Sequence, residues 1–186
     1  MVRHAGEGKR VVRLKGGDPF IFGRGGEEIE ALAAQGIDFE VVPGVTAAAG
    51  AAAYAGIPLK HRDYADSCLF VTGHSRGGGD AFDWSGLARA RQTIVVYMGV
   101  GGIGRICERL IAHGLAPDTP AALVEKATLP QQRVLEGRVS TIAELAAREK
   151  ARPPALLIIG DVVRLRAKLA WYGDRAGASE ATSRVP

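Results

Sequence analysis

A chain of 186 residues, 47% hydrophobic and 24% charged, has the composition of one globular domain or two small ones, which excludes global disorder. Its formal charge of +4 comes from scattered Lys and Arg, so it permits an anionic ligand without the basic block expected of a nucleic-acid binder. No apolar run is long enough to span a membrane, residues 1–10 lack a secretory core, and Cys68 and Cys107 fit no C-x-x-C spacing, so a cytoplasmic location is the default.

In chain order, Val11-Val12-Arg13-Leu14 reads as a buried strand that breaks at Gly16-Gly17-Asp18-Pro19. Five glycines fall between Gly16 and Gly26, and Glu27-Glu28 then open a helical pattern that Gly36 closes. Phe39-Glu40-Val41-Val42 reads as a second strand, stopping at Pro43-Gly44. Thr46 is placed to cap a helix of almost pure alanine and glycine, Ala47 to Ala55, which Gly56 and Pro58 end. Leu59 to Asp66 is polar and irregular, and reads as a linker. Beyond it, strands are expected at Cys68–Thr72, Thr93–Met98, Ala121–Val124, Val134–Leu135 and Leu156–Ile159. Helices are expected at Trp84–Ala90, Ile103–Ala112, Thr141–Lys150 (opened by a Thr141-x-x-Glu144 capping box) and Arg164–Trp171. Ser75–Asp80 reads as a glycine-rich surface loop, and Tyr172–Pro186 as a polar, disordered tail.

The alternation predicts an α/β fold with mixed sheets in two domains, residues 1–62 and 63–171. The first of these has only two strands, and two parallel strands cannot make a stable sheet alone. The expectation is therefore that this piece is incomplete: it completes its sheet with another chain, or the natural N-terminus lies upstream.

Glycines at a strand end let a ligand approach the backbone closely. No G-x-x-x-x-G-K-[ST] is present, and Asp18 would repel phosphate while accepting from a ribose hydroxyl or an ammonium. The Gly16 loop thus suits a nucleoside or amino-acid ligand; the alternative is a tight structural turn. Gly99 to Gly104 matches G-x-G-x-x-G between a strand and a helix, with Glu125 where a ribose-binding acid would stand. That pattern supports an NAD-dependent oxidoreductase, although a lone fingerprint is weak. His4, His61, His74 and His113 show no metal spacing, and no G-x-S-x-G elbow occurs.

The strings VVRLKGGDPFIFGRGGEE, VVPGVTAAAGAAAYAGIPLKHRDYA, FVTGH, VVYMG, AALVEKAT and PALLIIGDVVRLRAKLAW resemble, in order, the uroporphyrinogen-III C-methyltransferase branch of the tetrapyrrole methylase family. The resemblance implies a homodimer that moves methyl groups from S-adenosyl-L-methionine onto two ring carbons of uroporphyrinogen III, giving precorrin-2 for sirohaem and cobalamin. It implies donor contacts at Gly16, Gly17, Asp18, Ile21, Thr46, Ala47, Met98 and Ala127, with Arg24, His61 and Arg62 as partners for the substrate carboxylates. The family also begins with a strand and a G-x-G-x-G-D-P loop that have no counterpart here. Its acid/base aspartate and lysine fall in that segment, so no residue of this chain inherits a catalytic role, and the chain alone is expected to be weak or inactive. A non-catalytic half of a split methyltransferase and another precorrin methyltransferase are the neighbouring readings.

Overall fold

The computed structural model describes residues 1–73 and 83–173. Ser75–Asp80, His74 and the tail beyond Gly173 lie outside the described residues. The chain divides into two compact units, Met1–Ala47 and a second beginning at Ala48. The sequence reading placed the boundary after residue 62. Helix α3 (Ala47–Ala55) instead goes almost wholly with the second unit, because its backbone is tied there: the Arg166 guanidinium donates to Ala55 O (2.7 Å) and the Trp171 indole to Ala53 O (2.8 Å).

The first unit holds helices α1 (Val2–Gly6) and α2 (Gly25–Ala33). Glu27 and Glu28 lie in the first turn of α2, and Gly36 (φ +62°) ends it as expected, with Ile37 N donating back to Leu32 O. The two expected strands do not form. Val11–Leu14 and Phe39–Val42 run outside any helix or strand, and no backbone–backbone hydrogen bond joins either of them to a neighbour among the described residues. Strand character needs a lateral partner as well as β-branched side chains, and neither run finds one. Val12 and Leu14 consequently stand 84% exposed.

The second unit is one five-stranded mixed sheet. Its strands are β1 (Ser67–Thr72), β2 (Gln92–Tyr97), β3 (Pro120–Glu125), β4 (Arg133–Arg138) and β5 (Ala155–Ile159), in spatial order β1-β2-β5-β3-β4. Only β1 and β2 are parallel; the other three pairings are antiparallel. Period-two alternation divides the central strands between two faces. Ile94, Val96, Leu123 and Leu157 pack with Leu110 of α5 (Ile103–Ala112) and Ile142 of α6 (Ile142–Arg148). Tyr97, out of phase with Val96, instead offers its hydroxyl to the α3 backbone.

Several local expectations are corrected. Thr141 is the N-cap residue of α6 but makes no side-chain cap; its hydroxyl accepts from Arg138 N (3.1 Å), closing the turn that precedes the helix. Strand β4 runs beyond the expected Val134–Leu135, with Gly137 pairing with Ala121 inside it. Helix α4 stops at Leu87 (Trp84–Leu87), and the last helix is a 3₁₀ turn, Asp161–Leu165, followed by the short α7, Arg166–Leu169.

Candidate ligand site

In the first unit the Gly16–Pro19 loop lies against the Pro43–Ala47 segment, backbone to backbone. Gly17 sits at φ +82°, and a Cβ there would come 3.3 Å from Val45 O and 4.0 Å from Ala47 N. A Cβ on Gly44 would stand only 2.5 Å from Gly17 O, so no larger residue fits that crossing. Asp18 fastens it: Oδ1 accepts from Phe20 N (2.9 Å) and Oδ2 from Gly44 N (3.0 Å). These amides, Gly44's first and then Phe20's, hold the Asp18 carboxyl below the usual carboxylate range. An ionised carboxylate has about four lone-pair sites, so the backbone amides it accepts from here leave some capacity for a ligand. Gly17, Asp18, Thr46 and Ala47 are thereby brought together, with Ile21 three residues beyond Asp18 and open space at the Cβ position of Gly16. Arg24 stands at the N-cap of α2 with φ +57°, exposed, and 3.5 Å from Glu27.

In the second unit the strand directions place Met98 and Ala127. Both β2 and β3 are antiparallel to the β5 that lies between them, so they are parallel to each other. Their carboxyl ends leave the sheet on the same side, two strand spacings or about 9.6 Å apart. Met98 follows β2 and Lys126-Ala127-Thr128 follow β3. Met98 (φ +54°), Lys126 (φ +46°) and Thr128 (φ +71°) are all left-handed. For non-glycine residues that conformation costs roughly 1–2 kcal/mol each and gathers at functional loops. The start of α3 meets the same edge, where Ala48 N donates to Tyr97 Oη (3.0 Å) and Thr128 Cγ2 lies 3.3 Å from the Cβ position of Gly50.

His61 and Arg62 adjoin on the segment before β1, and Arg91 shapes it. The Arg91 guanidinium donates to Arg62 O (2.8 Å), Asp63 O (3.0 Å) and both Asp66 oxygens (2.7 and 2.9 Å). His61 Nδ1 accepts from Asp63 N (3.2 Å), which turns that nitrogen inward.

Sequence reasoning missed Arg91 and Gln132. Gln132 donates to Tyr54 O (3.1 Å) of α3 and accepts from Thr128 N (2.8 Å), pinning the post-β3 loop. Nothing in a lone Arg or Gln on a predicted loop announces such a role. Glu125 was noticed for the wrong reason. It is 6% exposed and accepts from Arg133 Nε (2.6 Å) and Arg152 N (2.7 Å), so its carboxylate is engaged by its own chain rather than free for a ribose. Gly99 to Gly104 forms a 3₁₀ turn, Val100–Gly102, running into α5.

The sequence matches the pattern described as Tetrapyrrole (Corrin/Porphyrin) Methylases over residues 1–143. It is 63% identical over 172 residues, 92% of this chain, to the siroheme synthase of Nitrosospira multiformis. Against the siroheme synthase of Thiobacillus denitrificans it is 58% identical over all 186 residues. The chain spans 36% and 39%, respectively, of the lengths of these relatives. Among solved structures, the uroporphyrin-III C-methyl transferase of Thermus thermophilus complexed with S-adenyl homocysteine superposes with a TM-score of 0.76 at 44% identity, covering 88% of this chain and 71% of that one.

Proposed function

We infer, because the chain belongs to the tetrapyrrole (corrin/porphyrin) methylase family, that it serves S-adenosylmethionine-dependent C-methylation of uroporphyrinogen III to precorrin-2, ahead of sirohaem and cobalamin. The observation that carries this reading is the 44% identity to the Thermus thermophilus C-methyl transferase complexed with S-adenyl homocysteine. That ligand is what remains of the donor once its methyl has left.

Features of each unit, taken separately, support this reading. The donor's adenosine and amino-acid ends need close backbone approach and a carboxylate for hydroxyls or an ammonium. Gly17 offers the first, and Asp18 retains lone pairs for the second. Met98 and Ala127, leaving parallel strands on one side of the sheet, offer an apolar edge. When bound, the donor supplies a sulfonium methyl, an electrophile that a pyrrolic carbon attacks directly. The work of the protein is then alignment, which can supply about 7–11 kcal/mol. Arg24, His61 and Arg62 are proposed to meet the substrate carboxylates, and the basic balance of +4 supports that role. A homodimer and a cytoplasmic location belong to the same reading; no described helix is long and apolar enough to cross a membrane.

Calorimetry of the purified chain with S-adenosylhomocysteine and with NAD tests the donor, and mass analysis of the tetrapyrrole product counts the methyl groups. Binding of NAD without S-adenosylhomocysteine would overturn the methyltransferase reading.

A further inference from the structure

Helix α3 has almost nothing to key it in place. Of its nine residues, Ala47–Ala55, only Tyr54 carries a side chain larger than a methyl, so the helix offers few ridges for a neighbouring element to grip. Its carboxyl end is fixed instead, carbonyl by carbonyl. The last four carbonyls of a helix have no partner within it, and here each finds one. Ala52 O accepts from Ile57 N (2.9 Å) and Ala53 O from the Trp171 indole (2.8 Å). Tyr54 O accepts from Gln132 Nε2 (3.1 Å) and Ala55 O from the Arg166 guanidinium (2.7 Å).

Gln132 differs from the other caps in what its second group does. A side-chain amide is both donor and acceptor, and the Gln132 Oε1 accepts from Thr128 N (2.8 Å). One side chain thus ties α3 to the loop after β3. Thr128 is the residue that needs tying. It is β-branched and left-handed (φ +71°), a conformation that persists only where its surroundings enforce it. Its methyl lies 3.3 Å from the Cβ position of Gly50. Its carbonyl lies 3.5 Å from the Tyr172 hydroxyl, and the Tyr172 ring meets that of Tyr54 edge-on at 4.8 Å. Helix, amide and ring therefore hold Thr128 from three sides, and all of them belong to the second unit. The φ angle of Thr128 orients the peptide plane that carries the Ala127 carbonyl.

We propose that Gln132 is a positioning residue for the methyl donor: by capping α3 and holding Thr128 left-handed, it fixes the Ala127 peptide just beyond the carboxyl end of β3. It acts through Thr128 rather than on the donor itself. This role rests on the methyltransferase reading, which puts the donor at Ala127, and it names the side chain that sets affinity there.

The test is calorimetry of the full chain with S-adenosylhomocysteine, beside deuterium exchange at the Thr128 amide. Gln132→Met keeps the length of the side chain and removes both hydrogen bonds. Exchange at Thr128 should quicken by about tenfold, and Kd should rise about tenfold, the equivalent of roughly 1.4 kcal/mol. Gln132→Glu, a milder change that keeps the acceptor for Thr128 N and loses only the donor to Tyr54 O, should fall between wild type and Gln132→Met. Glycine reaches the left-handed region at no steric cost, so adding Thr128→Gly to Gln132→Met should bring Kd back to within about threefold of wild type. Trp171→Phe removes a different α3 cap, one whose carbonyl also accepts from Gly56 N (3.3 Å), and should lower Tm while leaving Kd within about twofold. An unchanged Kd in Gln132→Met, no recovery in the double variant, or an equal rise with Trp171→Phe overturns the positioning role. A wild-type chain that binds no S-adenosylhomocysteine overturns the methyltransferase reading and this role together, whereas binding that ignores Gln132 overturns the role alone.

Discussion

Glu125→Gln decides between a structural and a ligand-binding role for the acid at the end of β3. The wild-type carboxylate lies 6% exposed between the Arg133 guanidinium and the Arg152 amide, at 2.6 and 2.7 Å. The amide keeps an acceptor for Arg152 N but turns a donor toward a guanidinium that has only donors. Breaking a buried ion pair from one side costs about 3–5 kcal/mol. The Arg133 side chain is 42% exposed and can recover part of its hydration, so about 2 kcal/mol is the reasonable expectation. For a unit of this size, roughly 3–5 °C per kcal/mol gives a fall in Tm of about 6–10 °C. Thermal unfolding followed by circular dichroism measures it, and a cycle with Arg133→Met isolates the coupling. NAD should fail to bind both wild type and variant. An unchanged Tm, or NAD binding that Glu125→Gln alone removes, would refute the assignment.

Gly44→Ala should displace the Gly17 carbonyl, because restoring ordinary contact from 2.5 Å to 3.4 Å needs a shift of 0.9 Å. Misplacement on that scale lowers activity or affinity by on the order of 100-fold, read by S-adenosylhomocysteine calorimetry, while Gly26→Ala, which meets nothing within 4 Å, leaves it intact. Arg91→Met should release the His61–Asp66 segment, seen as faster exchange at the Ala65 and Asp66 amides. The Arg91 pairing lowers the Asp66 pKa below 3.8, so the ordering it provides is fully present above that value and lost as pH falls through the folded pKa; exchange at Asp66 measured from pH 5 to 2 checks the sign. Burial pushes both Cys68 and Cys107 up to about 11, so thiol reagents at pH 7 should modify neither until the chain unfolds.

The second unit was largely legible in its residues. Gln92–Tyr97, Pro120–Glu125 and Ala155–Ile159 are short apolar runs bounded by turn residues, and each became a strand within two residues of the expected limits. The first unit was not, because Val11–Leu14 carries every local mark of a strand and pairing is not a local property. The same division runs through the candidate site. Gly16, Gly17 and Asp18 declared themselves by glycine spacing. Met98 was named only through the family resemblance and Thr128 not at all, since a left-handed methionine or threonine is imposed by tertiary contacts and leaves no trace in composition.

The position of β5 governs how this chain can be made. The last strand in sequence among the described residues occupies the middle of the sheet, between β2 and β3. During synthesis β1 with β2, and β3 with β4, can each pair as they emerge, but they remain two separate ribbons with facing open edges until Ile159 has cleared the ribosome. Folding of the second unit is therefore gated by its last strand, through pairings that span more than 60 residues, Ile94 with Ile159 among them. A stall or premature stop before Ala155 would leave two exposed strand edges rather than a smaller stable sheet, and such a product is a target for aggregation and degradation.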